Sequence, residues 1–256
     1  MTFTITRVAH ACVLLDFAGH RLLTDPWFSE RRGYYRGEPL AFTPDGLPEL
    51  AGVLVSHGHY DHFDLAAFAA YPDHEVPFVV KRGLAARVVR AGFPNVIEVD
   101  AWQQASLGGL RVTAAPARHS VPEVCFVLEG AAGQSVFFGG DTLRIAELDE
   151  VALRYPRIDL ALLPVNGLAI RPAFNRQVVM TAEEAAELAA VLRARVAVPI
   201  HYRYTAGPIR DRFLLKYDGT PERFAEALSE AEPAVQAKIL EPGEPLMVGA
   251  ALGPER

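Results

Sequence analysis

Basic residues, cysteines and long apolar runs are all scarce in this 256-residue chain, and each shortage removes a class of protein. Lysine and arginine number 25 against 31 aspartates and glutamates, a net charge of −6. A broad nucleic-acid-binding face is normally basic, so no nucleic-acid partner is expected, although a local basic pocket stays compatible with the balance. The two cysteines, Cys12 and Cys125, cannot make a disulfide framework. Both lie in apolar runs (11–15 and 124–128) and read as small buried hydrophobes, which favours a reducing compartment. No stretch approaches the ~18 apolar residues of a membrane span. Residues 1–8 alternate like a strand rather than a secretory leader, so the expected address is cytoplasmic. Repeats and low-complexity segments are absent as well. The length is at the upper end of what one core serves, which predicts a single domain over 1–256.

What is present is strand signal first and strand–helix alternation later. Segments 2–8, 11–17 and 20–24 read as antiparallel strands, with Ala18-Gly19 as a tight hairpin turn. Residues 27–47 show no period and read as a long loop of functional character. Buried strands are expected at 52–56, 78–80, 96–99, 110–115, 124–128, 135–138, 158–164 and 196–200. Helices are expected at 65–70, 84–91, 143–152, 181–194 and 221–228. Thr181 with Glu184 three residues on has the spacing of a capping box, and Pro221 suits a first turn. Such a mixture suggests two mixed sheets packed face to face with helices outside.

Three of the eight histidines fall within six residues, His57, His59 and His62, with Asp61 between the last two. The cluster follows a buried strand directly. Surface decoration explains it poorly, because these are the side chains that bind divalent first-row metals. His57 and His59, two apart in extended chain, point the same way and can grip one ion. Asp61 and His62 come where the chain bends, and can face a second. Gly58 leaves room for a tight loop around them. A single catalytic tetrahedral metal needs three protein ligands plus water, and four candidates exceed that. His119, Asp141 and His201 each follow an apolar strand in the same manner. The simplest use of all seven is a carboxylate bridging two cations, with three further donors on each.

His57-Gly58-His59-Tyr60-Asp61-His62 resembles the H-x-H-x-D-H signature of the metallo-β-lactamase superfamily. Ala117-Arg118-His119-Ser120, Gly139-Gly140-Asp141-Thr142 and Pro199-Ile200-His201-Tyr202 resemble its later ligand motifs, in the family's order. Ala9-His10-Ala11, Thr24-Asp25-Pro26-Trp27-Phe28 and Leu162-Leu163-Pro164-Val165 resemble the branch that holds ascorbate-6-phosphate lactonase and N-acylphosphatidylethanolamine phospholipase D. The resemblance covers nearly the whole chain. It implies an α/β fold, a four-layer αββα sandwich of two mixed sheets flanked by helices, with metals at one edge between the sheets. It assigns His57, His59 and His119 to a first metal, Asp61, His62 and His201 to a second, and Asp141 to a bridge. Ala9 departs from the pattern, standing where a glycine commonly precedes the His10 equivalent. No cysteine takes a ligand position, which argues against a secreted β-lactamase.

The chemistry expected of that set is hydrolysis. Two divalent cations, two carboxylates and a bridging hydroxide sum to about one positive charge, which suits a nucleophile formed near neutral pH. Such a charge also suits a substrate that gains negative charge in the transition state. Asp61 is the expected catalytic residue, orienting or shuttling the proton. Zinc is the first choice of metal and manganese the next, with iron also compatible. Asp25 is read either as a group steadying a ligand histidine or as a turn residue before Pro26. His10 is read as a buried histidine bonded to backbone.

Segments 166–180 and 202–217 should overhang the metals. They carry Arg171, Arg176, Arg203, Arg210, Arg212 and Lys216 against Asp211 alone, which points to an anionic small-molecule substrate. Tyr34, Tyr35, Phe174 and Tyr204 are candidates for apolar walls. Ester, lactone, amide and phosphodiester bonds all remain open, and a homo-oligomer is compatible with the sequence. The competing readings are an iron-dependent redox enzyme on the same fold, a metallonuclease, and a non-catalytic binding protein.

Overall fold

The computed structural model describes residues 2–249. In chain order the strands of the first half are β1 (Phe3–Ala9), β2 (Cys12–Phe17), β3 (His20–Thr24), β4 (Gly52–Val55), β5 (Phe78–Lys81) and β6 (Val96–Val99). Helices α1 (Leu65–Phe68) and α2 (Ala85–Arg90) lie among them. The second half supplies β7 (Gln104–Leu107), β8 (Leu110–Pro116), β9 (Val124–Glu129), β10 (Ser135–Phe138), β11 (Ile158–Pro164), β12 (Ala169–Ile170) and β13 (Arg176–Gln177). It continues with β14 (Ala194–Ile200), β15 (Leu215–Lys216), β16 (Gln236–Ala237) and β17 (Pro245–Val248). Its helices are α3 (Asp149–Arg154), α4 (Ala182–Val191), α5 (Pro208–Phe213) and α6 (Pro221–Ala231).

These strands form two seven-stranded sheets, β17-β1-β2-β3-β4-β5-β6 and β16-β14-β11-β10-β9-β8-β7, plus a small sheet β13-β12-β15. The period of two along each strand decides the layering. Leu54 and Val79 of the first sheet and Phe126, Leu128, Phe138, Leu162 and Val198 of the second share one buried cluster between the sheets. The alternate residues face outward. Val53, Val55, Phe78 and Val80 pack with Leu65, Phe68 and Val88 of the helices on one side. Val127, Phe137, Ala161 and Leu163 pack with Ala185, Leu188, Phe224 and Leu228 on the other. Three apolar seams between four layers make the αββα sandwich that the sequence implies. Cys12 and Cys125 lie in the two different outer seams as free thiols, which leaves them the role of small buried hydrophobes.

Several local expectations agree with the structure. Ala18 and Gly19 both take positive φ (56° and 98°), as a two-residue hairpin turn requires. Thr181 Oγ1 accepts from Glu184 N at 3.2 Å while Glu184 Oε2 accepts from Thr181 N at 2.9 Å, which completes the capping box. The helix ends at Val191, earlier than expected, because Arg193 turns left-handed (φ 51°) to enter β14.

Others need correction. The helix expected over 143–152 begins only with a 3-10 turn at Ala146–Leu148, followed by α3. Residues before it are committed elsewhere: Leu143 N donates to Arg118 O at 2.8 Å, and Thr142 Oγ1 accepts from Arg118 N at 2.9 Å. The segment thereby braces the loop that carries His119. Strand β7 escaped the pattern because its outward residues are polar, yet Gly108-Gly109 (φ 54° and 81°) is a hairpin signal in plain sight. Strands β12, β13, β15 and β16 have two residues each, too few to show any period.

Candidate metal centre

Strands β3, β4, β5 and β6 run parallel, as do β10, β11, β14 and β16, so their C-terminal ends gather at one edge of the sandwich. His57 follows β4 by one residue beyond Ser56, Asp141 follows β10 after Gly139-Gly140, and His201 follows β14 directly. His119 follows β8 in the same way. Past His59 the chain bends in a tight turn, His62 N donating to His59 O at 3.2 Å, and this brings Asp61 and His62 round to the other side.

The seven nominated donors come together in two groups. In the first, His59 Nδ1 lies 3.0 Å from His57 Nε2 and 3.1 Å from His119 Nε2. Asp141 Oδ2 lies 3.9 and 3.8 Å from the same two Nε2 atoms. In the second, Asp61 Oδ2 is 3.9 Å from both His62 Nε2 and His201 Nε2. Asp141 belongs to both groups, with Oδ1 3.2 Å from His62 Nε2 and Oδ2 3.0 Å from His201 Nε2.

Burial makes this arrangement chemically demanding. Asp61 Oδ1, His62 Nε2, Asp141 Oδ1 and His201 Nε2 are buried without a hydrogen-bond partner. A buried polar atom left alone costs about 1–3 kcal/mol. Four such atoms converging on the same space are the mark of donors arranged for cations, and the all-nitrogen-and-oxygen set fits divalent metals. His57 and His59 have pKa values lowered to about 3, chiefly by burial and then by neighbouring imidazoles. Neutral imidazole is the form that binds metal. Burial opposes charge on Asp141 too, yet the His201 and His62 charges outweigh it and hold the carboxyl well below its usual range. Asp61 is held low likewise: burial opposes its charge, but the neighbouring His10 ring and the His62 charge outweigh it.

Behind the donors stands a layer that fixes their orientation. Asp25 accepts from Ser56 N at 2.7 Å and Ser56 Oγ at 2.6 Å, and its Oδ2 meets His62 Nδ1 at 2.7 Å. The β3–β4 register, Thr24 opposite Leu54, is what brings Asp25 beside Ser56. Of the two readings of Asp25, the geometry is that of a steadying group. His119 Nδ1 donates to Val178 O at 2.7 Å. His57 Nδ1 lies 3.0 Å from Ser56 Oγ and 3.2 Å from Glu123 Oε1, and the same Glu123 oxygen accepts from Asp141 N at 2.7 Å. Sequence reasoning missed Glu123. Its one signal is a carboxylate immediately before an apolar strand. Burial pushes its pKa up to about 8. Gly140 (φ 56°) is required here, since a Cβ would run into Glu123 Oε1 and the Ser56 side chain.

His10 does not fit the expectation of a ring bonded to backbone. Both ring nitrogens are buried without a hydrogen bond, and Nε2 lies 3.5 Å from Asp61 Oδ2. It is the backbone N of His10 that is held, by Glu38 Oε1 at 2.6 Å. Its ring stands 4.1 Å from that of His201, and His10, Asp25 and His201 all take positive φ (55°, 36° and 58°). Non-glycine residues in that region carry strain that surrounding structure must hold, and such strain gathers at functional sites.

The cavity over the donors has a volume of 240 Å³. Its walls beyond the donors are Tyr34, Ser120, Leu168, Ile170, Val178, Tyr204 and Leu215, so segments 166–180 and 202–217 do overhang the site. Tyr34 arrives on the long 27–47 loop, which is tied down by Tyr35 and Thr205 pairing through backbone bonds of 3.0 Å each way. The nominated arginines are not brought to the cavity. Arg171 is exposed and donates from Nε to Leu215 O at 2.7 Å. Arg176 is exposed on β13, and Arg203 faces Glu241 at 3.9 Å. Tyr35 is not among the walls, and Phe174 is 99% exposed.

Comparison with known proteins agrees with this architecture. Residues 20–202 match the Beta-lactamase superfamily domain. A stretch of 175 residues is 31% identical to an uncharacterized protein of Mycobacterium bovis, covering 62% of this chain and 47% of that one. The chain thus spans about half the length of the mycobacterial relatives it matches. A UPF0173 metal-dependent hydrolase of Rubrobacter xylanophilus is 28% identical over 94% of this chain and 95% of its own length. Among solved structures, the metallo hydrolase Igni18 of Ignicoccus hospitalis superposes with a TM-score of 0.76 at 21% identity, over 98% of this chain and 100% of its own. A diiron β-hydroxylase of Streptomyces venezuelae has a TM-score of 0.73 at 19% identity, covering 96% of this chain and 53% of that one, a likeness of fold alone. With the profile spanning well over half of its residues, the chain belongs to the beta-lactamase superfamily, in the company of proteins named metal-dependent hydrolases.

Proposed function

We propose that this chain, taken over 1–256 as one catalytic unit, is a metal-dependent hydrolase that holds two divalent cations and cleaves an ester, lactone, amide or phosphodiester of a small anionic substrate. The observation that carries the reading is the meeting of two donor groups: His57, His59 and His119 with Asp141, and beside them Asp61, His62 and His201, whose buried Oδ1 and Nε2 atoms have, like Asp141 Oδ1, no hydrogen-bond partner. His57, His59 and His119 would hold one cation and Asp61, His62 and His201 the other, with Asp141 between them. Bound there, such cations lower the pKa of water from ~15.7 toward ~7 and polarise the oxygen of the bond to be cleaved. Zinc is the first choice and manganese the second, since no thiolate selects between them.

The chain's own residues do the rest. Asp61 borders the cavity and is kept as a carboxylate, so it can orient the attacking water and take its proton. His10, 3.5 Å behind it, steadies that carboxylate. Asp25, Ser56, Glu123 and the Val178 carbonyl fix the tautomers and ring planes of His62, His57 and His119. Tyr34, Tyr204, Ile170 and Leu215 give the cavity an apolar lining that suits the acyl or aryl part of a substrate and excludes water. A cytoplasmic address is part of the same reading, supported by two buried free thiols.

The test is a screen of metal-reconstituted protein against lactone, amide and phosphodiester substrates, with metal content measured alongside. Turnover should follow occupancy by zinc or manganese and disappear, together with metal, in Asp141→Ala. Turnover that survives metal stripping would overturn the mechanism. Iron as the dominant metal, with oxygen consumption, would replace it with the redox alternative.

A further inference from the structure

The anionic group expected of the substrate finds no lysine or arginine in the metal cavity, whose lining beyond the donors is Ser120 and apolar or aromatic side chains. Guanidinium groups without a carboxylate partner gather instead in a neighbouring groove of 460 Å³, where Arg31, Arg87 and Arg90 are joined by Tyr60, Phe63 and Asp64. We propose that this groove, between the His59–Asp64 turn and α2, is an oxyanion-binding subsite that takes the phosphate or carboxylate of the substrate. The proposal rests on the hydrolase reading for the word substrate, but the groove's affinity for an oxyanion stands or falls independently.

Three observations carry it. First, among the described residues no carboxylate lies within 4.0 Å of Arg31, Arg87 or Arg90, whereas the nearby Lys81 and Arg82 are neutralised by Asp100. The one carboxylate lining the groove, Asp64, is turned away to internal work. Its Oδ2 accepts from Phe28 N, Ser29 N and Ser29 Oγ at 3.2, 2.7 and 2.7 Å, and its Oδ1 from Ala67 N at 3.3 Å. Second, two of the three cations, Arg31 and Arg87, are positioned rather than loose. The Arg31 guanidinium lies 3.7 Å over the Tyr60 ring, and Arg87 lies 4.4 Å over Phe63 while donating to Gly58 O at 3.0 Å. Burial, and after it the charge of Arg31, shift Arg87 down, so a neighbouring anion would be favoured there. Third, the groove adjoins the reacting centre. Tyr60 sits between His59 and Asp61 in sequence, and its ring meets that of the cavity residue Tyr34 at 5.4 Å. Arg31 is also 4.8 Å over Tyr34, and Arg87 lines a further cleft that opens on His59. A substrate can thus place its apolar part over the metals and its anion across the tyrosine wall. Guanidinium pairs are suited to oxyanions because their N–H groups match two oxygens at once.

Arg87 supports the metal loop through Gly58 O, so the test uses Arg31→Gln and Arg90→Gln, singly and together. Inorganic phosphate is titrated calorimetrically into metal-loaded protein and into chelated protein whose near-ultraviolet dichroism shows it folded. A phosphate-binding event is expected to persist after chelation and to weaken about tenfold or more in the double variant, the loss of one or two charge-assisted hydrogen bonds. Metal content and thermal midpoint should stay at their starting values. Phosphate binding that vanishes with the metals, or that the double variant leaves unchanged, overturns the subsite. Failure of the hydrolase reading looks different: phosphate still binds the groove, but metal-loaded protein turns over no ester, amide or phosphodiester.

Discussion

Replacing Glu123 tests whether the layer behind the donors matters as much as the geometry implies. Its Oε1 receives Asp141 N–H at 2.7 Å and faces His57 Nδ1 at 3.2 Å, deep inside the protein. Glu123→Ala leaves the Asp141 amide without a partner and gives His57 Nδ1 only Ser56 Oγ, and Gly140, shaped around that oxygen, faces a void. The unsatisfied buried Asp141 amide costs about 1–3 kcal/mol, so the variant should lose roughly that much. At about 2–4 °C per kcal/mol for a chain of this size, the thermal midpoint should fall by roughly 2–12 °C. Orientation of two of the proposed metal donors is loosened as well, and removal of such supporting groups weakens metal binding about 10–100-fold. Glu123→Gln keeps an acceptor oxygen and is neutral, like the protonated carboxyl that burial favours by raising its pKa to about 8, so it should suffer less than Ala on both counts. The assays are calorimetric unfolding of chelated protein and competition with a chromophoric chelator for metal. An Ala variant with the starting midpoint and chelator competition, or one more robust than Gln, would refute the assignment.

Four further outcomes check other parts of the structure. Asp25→Ala removes the partner of His62 Nδ1 and both Ser56 bonds, and should weaken metal affinity about 10–100-fold in the same chelator competition. Phe138→Ala opens a cavity between the sheets and should cost about 3–5 kcal/mol in denaturant unfolding, with metal stoichiometry retained in the folded protein. Thr181→Ala breaks the capping box and should cost about 1 kcal/mol without altering metal content, which separates fold stability from the site. Burial pushes both thiols upward, so a thiol reagent should leave native protein unlabelled and find Cys12 and Cys125 only after denaturation; prompt labelling of the folded protein would contradict the seams described above.

The candidate donors His57, His119, Asp141 and His201 were legible because each stands within three residues of the end of a largely buried strand, and parallel strands end together. His57, Asp141 and His201 need nothing beyond that rule to meet. The groups that orient them obey a different logic. Asp25 reaches Ser56 through the pairing of Thr24 with Leu54, and Glu123 reaches Asp141 N because Gly140 lets two loops touch. Neither relation is a spacing along the chain, so neither leaves a pattern in it. The nominated arginines failed for a related reason. Excess positive charge in segments 166–180 and 202–217 located the overhanging loops correctly but not the direction of their side chains, and Arg171 spends its Nε on Leu215 O within the small sheet. Arg31 and Arg87 come from a loop and a helix far apart in sequence and meet only across the Tyr60 turn. Charge density along a chain can therefore nominate a segment, whereas an anion's seat depends on which guanidiniums the fold leaves without a carboxylate.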